Sequence, residues 1–515
     1  MNVELLGALD YAKLEEELKT RGIDDFEGII AYIKQLEKEG RVHKVASAGM
    51  LSRSEHDVNG MLEERRKKSF ASNTKVAVNI TSMGHDSITD HDYLVFALRD
   101  VPITIEQTII AERFSSFTIK SRREVNFANA GYRIPTFHDK DGNIHPQNEE
   151  LQKEYIEHEN SLFKMYDAFV KAGVPKEDAR FLLPYSFNAN IIMGVDAHTL
   201  KDMIIKYTKT HLSKVSEIKE FGEKLYEIAK ENIPYIIPEI DAAPYRETDP
   251  VLDFLESVAP HEGYEVLDKP VLLNCSQDID NTILIAGLMR RYQYDYEQAA
   301  EQLDVLEREY LEQTGKSDFK EEFMRKIIFE GDAEELHQVN FQFQIPLSFA
   351  VLTHLTRHRT HHPLIPEFAP NVDLDQYRTP ETIKNGHLEE YEKMIAKNKE
   401  LYLKFRDEYG IPETDLTAFT LSGNIVNVVT NMDAWTLAHI LGLRECTKAQ
   451  WETRDMAVGM HEEIDKIPGA EILSKLMGPT CKTQCFCNEG KESCGLVEYY
   501  KKEREKQLAK VPKGE

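Results

Sequence analysis

Six basic or imidazole side chains lie close together in the ten-residue stretch THLTRHRTHH, residues 353–362. They are His354, Arg357, His358, Arg359, His361 and His362. Arginine presents a planar fork of donors that matches the oxygens of a phosphate, and histidine adds a shorter donor beside it. These residue types at this density therefore predict a pocket for an anionic ligand.

Two other interpretations of the same stretch remain open. On a helix, His354, His358 and His362 would lie on one face at one-turn spacing, which is a geometry that can ligate zinc. No carboxylate or cysteine lies nearby in the sequence to complete such a site, and Arg357 and Arg359 would repel a cation. The stretch could also be a solvated basic helix face without a ligand.

The charge distribution around the stretch favours the anion pocket. The chain carries a net charge of -26, yet no Asp or Glu occurs from Leu336 to Pro366. The average density of acids in the chain would place about five there. A local positive island in an acidic protein indicates an anionic ligand, whereas the overall charge argues against sequence-independent binding of nucleic acid.

Composition bounds the class of protein. The 515 residues are 41% hydrophobic and 30% charged, as in soluble globular proteins, and this length predicts two or more domains. No apolar run is long enough to span a membrane, and the acidic N-terminus is unlike a signal peptide. Six cysteines in so long a chain make no disulfide framework, so we expect a cytoplasmic protein with neither nucleic-acid nor membrane partners.

Periodicity predicts the elements that position the basic stretch. Alternation over VNFQFQI predicts a strand that leads through Pro346 into the helix LSFAVLTHLTRHR, and YLVFALRDV predicts a strand before the helix ITIEQTIIAERF. We also predict a helix closed by Gly40 in DDFEGIIAYIKQLEKEG, strands over KVAVNI and VLLNCS, and a helix over NTILIAGLMRRY. Four prolines within IPYIIPEIDAAPYRETDP predict a linker over residues 233–250.

Three pairs of segments recur in the same order along the chain. AGMLSR (48–53) parallels AGLMRR (286–291), and VFALRDVP (95–102) parallels NFQFQIP (340–346). A third pair shares a Gly-hydrophobic-Pro start and an Asp-Ala-x-Thr-Leu end, and it covers residues 172–200 and 409–437. We infer a tandem duplication of one module of about 230 residues.

A second motif follows the basic stretch. Arg444 stands 85 residues after Arg359, within LGLRECTKAQWETRDMA (441–457). An Arg-His-Arg triplet after an apolar helix, followed on a later helix by Leu-Arg and Ala-Gln-Trp-Glu, resembles the flavin-dependent thymidylate synthase family. The resemblance extends over both modules, roughly residues 40–495. It implies an α+β fold of two tandem modules, each a twisted sheet with packed helices.

The two modules depart from the family's pattern in complementary ways. In the family a Ser stands eight residues after the triplet, and an Arg follows it. The second module keeps the triplet but has Glu367 and Ala369 at those positions. The first module has Ala111-Glu112-Arg113 as its triplet but keeps Ser121, Arg122 and Arg123. It also keeps Arg180 and the family-like GHDSITDH (84–91), whereas Arg444 has no evident counterpart there.

The resemblance implies a reaction and a set of roles. dUMP would be methylated at C5 to dTMP, with the carbon from methylenetetrahydrofolate, the hydride from reduced FAD, and NADPH to recharge the flavin. Arg444 would be the catalytic cation at the uracil oxygens. The implied substrate-binding residues are Arg357, Ser121, Arg122, Arg123, Arg180 and His354. The implied flavin-binding residues are Arg357, His358, Arg359, His85, Ser87 and Ser52.

The resemblance also implies how these residues combine. In the family an active site is assembled from several subunits of a homotetramer, so the two parts of the signature need not come from one copy. We therefore expect one composite active site drawn from both modules, in a homodimer of tandem chains. A related flavin-dependent modification of another pyrimidine nucleotide, or a non-catalytic nucleotide- or flavin-binding scaffold, remains an alternative.

The expected boundaries leave a separate C-terminal tail. Residues 1–240 would form the first module with an N-terminal helical extension, 251–480 the second, and 481–515 a cysteine-containing tail. The tail holds Cys481, Cys485, Cys487 and Cys494. Four thiols at this density could hold a structural metal, remain reduced, or form disulfides.

Overall fold

The computed structural model describes residues 1–6, 11–23, 25–246, 248–259, 265–366 and 373–510. The chain divides into two compact units. The first unit comprises residues 1–263, 368–375 and 379–423. The second unit comprises residues 264–367, 376–378 and 424–515.

The first unit begins with the elements of the first module. In chain order they are β1 (Asn2–Leu6), α1 (Tyr11–Thr20), α2 (Phe26–Leu51), α3 (Val58–Arg66), α4 (Phe70–Thr81), β2 (Tyr93–Pro102), α5 (Ile103–Ile110), β3 (Ser115–Ile119), α6 (Asn148–Lys171), α7 (Lys176–Ala179), β4 (Asn188–Asp196), α8 (Ala197–Lys209), α9 (Ser216–Asn232), α10 (Ile237–Ala242) and α11 (Pro250–Val258). Short 3-10 turns add residues 86–91, 180–182, 211–214 and 234–236.

The remaining elements follow in chain order. They are β5 (Val271–Cys275), α12 (Ile279–Tyr292), α13 (Tyr296–Thr314), α14 (Phe319–Phe329), β6 (Asn340–Ser348), α15 (Phe349–Thr356), β7 (His362–Leu364), α16 (Glu381–Lys384), α17 (Leu388–Asp407), α18 (Glu413–Leu416), β8 (Ile425–Asp433), α19 (Ala434–Arg444), α20 (Trp451–Ile464), α21 (Glu471–Leu476), α22 (Thr480–Thr483) and α23 (Leu496–Lys510). Further 3-10 turns lie at residues 334–338, 417–419 and 490–492.

Each unit contains one four-stranded antiparallel sheet, and the two sheets have the same strand order. The first is ordered β1-β2-β4-β3 and the second β5-β6-β8-β7. In β6, Phe341, Phe343 and Ile345 are fully buried at every second position, as expected of a strand with one face against the core. The predicted α+β fold of two tandem modules is confirmed, and each segment pair found by repetition occupies matching elements.

The core of the first unit includes a segment that lies far along the chain. Residues 379–423 follow the second module's basic stretch, yet α17 packs on α6 of the first module. The shared core consists of Phe137, Leu151, Tyr155, Leu401, Phe405, Ile411, Leu416 and Phe419. Backbone bonds join the same parts, because Tyr185 N–H donates to the Thr420 carbonyl at 2.7 Å. The sequence repeat did not reveal this arrangement.

Two local predictions near the N-terminus are wrong. The helix does not close at Gly40 but runs to Leu51, because Val42 and Val45 continue its buried face. KVAVNI, residues 75–80, is helical and lies inside α4. Its six residues are too few to separate a period of 2 from one of 3.6, and the buried positions of α4 recur every fourth residue.

The proline-rich stretch is also not a simple linker. Its first part forms a 3-10 turn and α10, both packed into the first unit. Tyr235 is fully buried and donates its hydroxyl to Asp92 at 2.8 Å. Pro234 and Pro238 stand in the first turns of their helices, where proline's missing N–H costs nothing. The prediction of broken structure thus fails for residues 234–242.

Candidate functional site

The basic stretch in the second unit is held by the start of α15. Strand β6 leads directly into this helix, and Ser348 precedes its first residue. Glu452 on α20 accepts from both the N–H and the hydroxyl of Ser348, at 2.7 and 2.6 Å. Gln450 in turn caps α20 by accepting from Thr453 N–H at 3.0 Å. The Gln and Glu of the AQWE motif therefore position the helix that carries the basic residues.

Arg444 and His358 are in direct contact. Arg444 Nε donates to His358 Nε2 at 3.2 Å, and Arg444 Nη2 donates to the His354 carbonyl at 3.2 Å. The pKa of His358 is lowered to about 3, first by burial and then by the charges of Arg444, His439 and His361. The imidazole is therefore neutral at physiological pH. Because a guanidinium only donates, Nε2 accepts and the ring proton resides on Nδ1.

The other members of the stretch have different environments. Arg357 and Arg359 are exposed, and within the described residues the Arg357 side chain makes no hydrogen bond or ion pair. His354 Nδ1 lies 2.9 Å from the Thr453 hydroxyl. His361 is buried between Thr430 Oγ1 at 2.6 Å and the Leu355 carbonyl at 3.2 Å, so it stabilises the turn. The stretch therefore contains two exposed arginines and, between them, a buried His358 that is neutral and hydrogen-bonded.

The contacts of His354 and His358 bear on the zinc and the solvated-face interpretations. Among the residues that the structure describes, no three His, Cys, Asp or Glu side chains are placed as ligands of a metal ion. His354 and His358 face Thr453 and Arg444 instead. A solvated face would leave His358 exposed, whereas only 8% of its surface is accessible.

A row of rings beside His358 was missed by the sequence reasoning. The rings of His358 and His439 are edge to face with centroids 5.5 Å apart, and Trp435 stacks on His439 at 5.8 Å. His337 also stacks on Trp435, with centroids 5.6 Å apart. Trp435 and His439 line a cavity of about 400 Å³. The available signal was their spacing of four residues on α19, which places both on one helix face.

The predicted phosphate-binding residues of the first module form one group in the first unit. Arg122 pairs with Glu106 through two bonds of 2.9 and 2.6 Å, and the Glu106 side chain is fully buried. Arg123 Nε donates to Glu177 at 2.6 Å, and Arg180 Nε donates to the Glu177 carbonyl at 3.2 Å.

Ser121 completes this group at the surface. It is exposed, and its hydroxyl accepts from Arg123 N–H at 3.3 Å. The fold therefore brings Ser121, Arg123 and Arg180 together around Glu177. The second-module residues at the corresponding sequence positions, Glu367 and Ala369, lie outside the described residues.

The structure supplies the missing counterpart of Arg444. Helices α8 and α19 both follow an Asp cap, and Tyr207 and Arg444 lie at the same distance from those caps. By the same register of α5 and α15, Glu112 occupies the position of His358. Tyr207 donates to Glu112 at 3.0 Å, and Lys206 pairs with the same carboxylate at 2.9 Å. Each module therefore has its own hydrogen bond at this position. In the first module the acceptor is a carboxylate, and in the second it is a neutral imidazole.

The predicted flavin-contacting residues of the first module lie at exposed helix ends. Ser52 caps the C-terminus of α2, and His85 precedes the 3-10 turn 86–91 that contains Ser87. Gly49, near the end of α2, faces Ile80 of α4 and Ile88 of the 3-10 turn 86–91. The 3-10 turn therefore packs near Ser52. The absence of a side chain at Gly49 permits that close approach.

The tail cysteines do not all meet. A small cavity is lined by Cys446, Cys481, Cys487 and Cys494, whereas Cys485 does not line it. All six cysteines are free thiols.

Among the described helices, none is long and apolar enough to cross a membrane.

Comparison with known proteins adds independent findings. A family model described as thymidylate synthase complementing protein matches residues 34–235 and 272–468. The flavin-dependent thymidylate synthase of Sulfurisphaera tokodaii is 29% identical over 215 residues, which are 41% of this chain and 77% of that protein. That of Saccharolobus solfataricus is 28% identical over 236 residues, covering 45% and 85%. That of Pyrococcus abyssi is 31% identical over 192 residues, covering 35% and 78%.

The fold and the site define a duplicated α+β protein whose second unit holds Arg444 against a buried, neutral histidine. Two successive matches to one family model account for the duplication. The chain belongs to the family of thymidylate synthase complementing proteins. The resemblance stated from the sequence is thereby confirmed, as is the expected class, an enzyme of the methyltransferase kind.

Proposed function

We propose that this protein methylates dUMP at C5 to form dTMP, with FAD as cofactor and methylenetetrahydrofolate and NADPH as co-substrates. The observation that carries the proposal is the contact of Arg444 with the buried, neutral His358 below two exposed arginines. The curated relatives are named flavin-dependent thymidylate synthases, which supports this activity for the chain.

The donor set of the second unit fits an anionic, heteroaromatic cofactor. Arg357 is an exposed donor for the phosphates of FAD, Arg359 is an exposed cation beside it, and His358 stays neutral against Arg444. When bound, the flavin supplies the hydride that completes the methyl group. Ser52, His85 and Ser87 of the first module are exposed polar groups that can contribute further hydrogen bonds.

Arg444 is the residue we assign to catalysis. A cation beside a uracil oxygen stabilises the enolate-like charge that develops when C5 becomes nucleophilic. His358 and the His354 carbonyl hold the guanidinium by two bonds, so its plane is set before substrate binds. Such preorganisation avoids the cost of reorienting a long side chain during the reaction.

We further propose that each active site draws on both modules of a homodimer. The first module carries Ser121, Arg123 and Arg180 for the nucleotide phosphate, but Glu112 replaces the imidazole and would repel an anion. The second module carries the triplet and Arg444 but lacks the Ser and Arg of the signature. Arg122 remains a candidate phosphate ligand whose charge is already balanced by Glu106.

We also propose that the chain divides into modules 1–240 and 251–480 with a tail at 481–515. A cytoplasmic location is part of the same proposal. The family-model matches at 34–235 and 272–468 support two modules of this kind.

A direct assay tests the proposed function. We expect the purified chain to show a flavin spectrum and to release tritium from [5-³H]dUMP only when methylenetetrahydrofolate and NADPH are both present. Chromatography of the product should show dTMP. An Arg444→Ala variant should keep its flavin and lose tritium release. Bound flavin without turnover of dUMP would refute this substrate, and a chain that never binds FAD would favour the scaffold.

A further inference from the structure

His461 on α20 is buried, and each group that its two ring nitrogens contact is an acceptor. Nδ1 lies against a carboxylate oxygen of Glu445, and Nε2 lies 3.0 Å from both the carbonyl and the hydroxyl oxygen of Ser474. The Ser474 hydroxyl donates its own proton to Asp465, so its oxygen accepts from the ring. A ring that donates from both nitrogens is an imidazolium. His461 is therefore a cation, in contrast to the neutral His358.

Glu445, the partner of this cation, directly follows Arg444. Arg444 is the last residue of α19, and Glu445 caps the helix by donating its N–H to the Leu441 carbonyl at 3.1 Å. Only 9% of the Glu445 side chain is exposed. The backbone of Gly478, with a φ of +115°, closes over it, since a side chain there would begin 3.0 Å from Glu445 Oε2. The carboxylate therefore fixes the last turn of α19.

The helix that carries His461 also holds the other half of the site. Glu452 on α20 binds Ser348 at the start of α15, as described above. His461, two turns further along α20, reaches the end of α19 through Glu445. One helix thus fixes both elements that bring His358 and Arg444 into contact.

The charges around His461 stabilise its protonated form. Burial by itself lowers the pKa of His461, but the hydrogen bond and the charge of Glu445 raise it above the usual value. Lys482 of α22 opposes this increase, and Asp465 adds a second carboxylate on the Nε2 side. Tyr500 of α23 stays protonated beside Glu445, because burial and its neighbours raise its pKa. The cation is therefore complete below the raised pKa of His461 and is lost as the pH rises through it.

We propose that His461 is a positioning residue, which as an imidazolium bound to Glu445 holds the last turn of α19 and so the guanidinium of Arg444. This role rests on the proposed function, in which Arg444 acts on the substrate. When His461 releases its proton to solvent, one ring nitrogen faces an acceptor without a hydrogen, and the contact with Glu445 or Ser474 is lost. The turn that carries Arg444 is then released. The reaction therefore has a basic limb that His461 and Glu445 set.

Magnetic resonance of the full chain tests the charge of His461 without turnover. In protein labelled with carbon-13 at histidine Cε1, the signal that is absent from His461→Gln should titrate with a midpoint above about 6.5, the value of an exposed histidine. Glu445→Gln keeps an acceptor oxygen and removes its charge, so the midpoint should fall by about one pH unit or more. The Nε–H signal of Arg444 should shift at the same pH as His461 in each protein. A His461 that is neutral at pH 6, or an Arg444 signal that ignores its titration, overturns the proposal.

The pH profile of dUMP turnover tests the consequence for the reaction. In the unmodified protein kcat/KM should fall at the midpoint of His461, and Glu445→Gln should move this limb to lower pH. His461→Gln should lower kcat about tenfold or more at unchanged flavin content, since a hydrogen bond to a charged group is lost. Glu462→Gln removes an exposed carboxylate next to His461 on α20, so as the matched control it should leave kcat and the limb unchanged.

The outcomes separate this role from the proposed function. A basic limb that stays in place in Glu445→Gln, while the His461 signal moves, would show that His461 does not position Arg444. If the signals of His461 and Arg444 titrate together but dUMP is not turned over, the proposed function fails and the positioning of Arg444 stands.

Discussion

Arg444 Nε lies 3.2 Å from Nε2 of His358, a histidine that the fold buries and keeps neutral. A protonated imidazole could not accept this bond and would repel the guanidinium. Burial of His358 is therefore what allows two adjacent basic residues to act together. The corresponding pair in the first module, Tyr207 and Glu112, keeps the hydrogen bond and reverses the charge.

Replacing His358 tests whether it positions Arg444. His358→Ala removes the acceptor, and we expect kcat to fall about ten- to hundredfold, since a hydrogen bond to a charged group contributes about 1.5–3 kcal/mol. His358→Gln retains an acceptor and should recover part of the loss. Arg113→Ala, at the first-module position of Arg359, is the control and should leave kcat unchanged. Steady-state kinetics with dUMP measure kcat for the three variants. An unchanged kcat in His358→Ala would show that His358 does not position Arg444.

The pH dependence of the reaction should not report His358. Its pKa is lowered to about 3, so the ring stays neutral from about pH 5 upward and cannot produce an acidic limb in that range. We expect the profiles of kcat/KM for the unmodified protein and His358→Gln to have parallel shapes over about pH 5–9. An acidic limb that disappears only in the variant would show that His358 titrates during turnover.

The composite site predicts a stoichiometry. Calorimetric titration with dUMP should give one nucleotide per tandem chain. Ser121→Ala with Arg123→Ala should abolish binding as fully as Arg357→Ala, and the combined variant should cost little beyond either, because residues acting as a unit are non-additive. Two nucleotides per chain, or half the sites lost at unchanged affinity, would indicate independent modules.

The buried pair of Glu106 and Arg122 should dominate stability near the proposed phosphate group. Removing one partner of such a pair leaves an uncompensated charge and costs about 3–5 kcal/mol. Arg122→Met should therefore destabilise the first unit strongly in urea unfolding. The double change Arg122→Met with Glu106→Leu should recover most of the loss. Arg123→Met is the control, because its pair with Glu177 is partly exposed and should cost much less.

Glu159 should make the first unit less stable as pH rises. Its pKa is raised well above the usual value by burial, against weaker opposite effects of Ser186 and Tyr155. A carboxyl with a raised folded pKa contributes stability that is present below the unfolded pKa and is lost as pH rises through the folded value. Glu159→Gln should be more stable than the unmodified protein near pH 8 and similar to it near pH 4.5 in thermal unfolding. Equal pH dependence in both proteins would contradict the raised pKa.

The sequence by itself was sufficient for the repeated elements and for the family. Alternation in YLVFALRDV and VNFQFQI predicted β2 and β6, because burial of one strand face imposes a period of two. The acid-free interval around Arg357 predicted an anionic ligand, because the absence of Asp and Glu there can be read directly from the sequence.

Tertiary structure alone decided which groups meet. The pairing of Tyr207 with Glu112, the ring contact of His358 with His439 and the cavity that Cys446 shares with three tail thiols all join residues far apart in the chain. The same holds for residues 379–423, which pack on α6 in the first unit. Local periodicity determines which face of an element is apolar, but the partner of that face depends on packing over the whole unit. His358 is an example: its basic neighbours can be read from the sequence, whereas its neutral state depends on its burial in the folded unit.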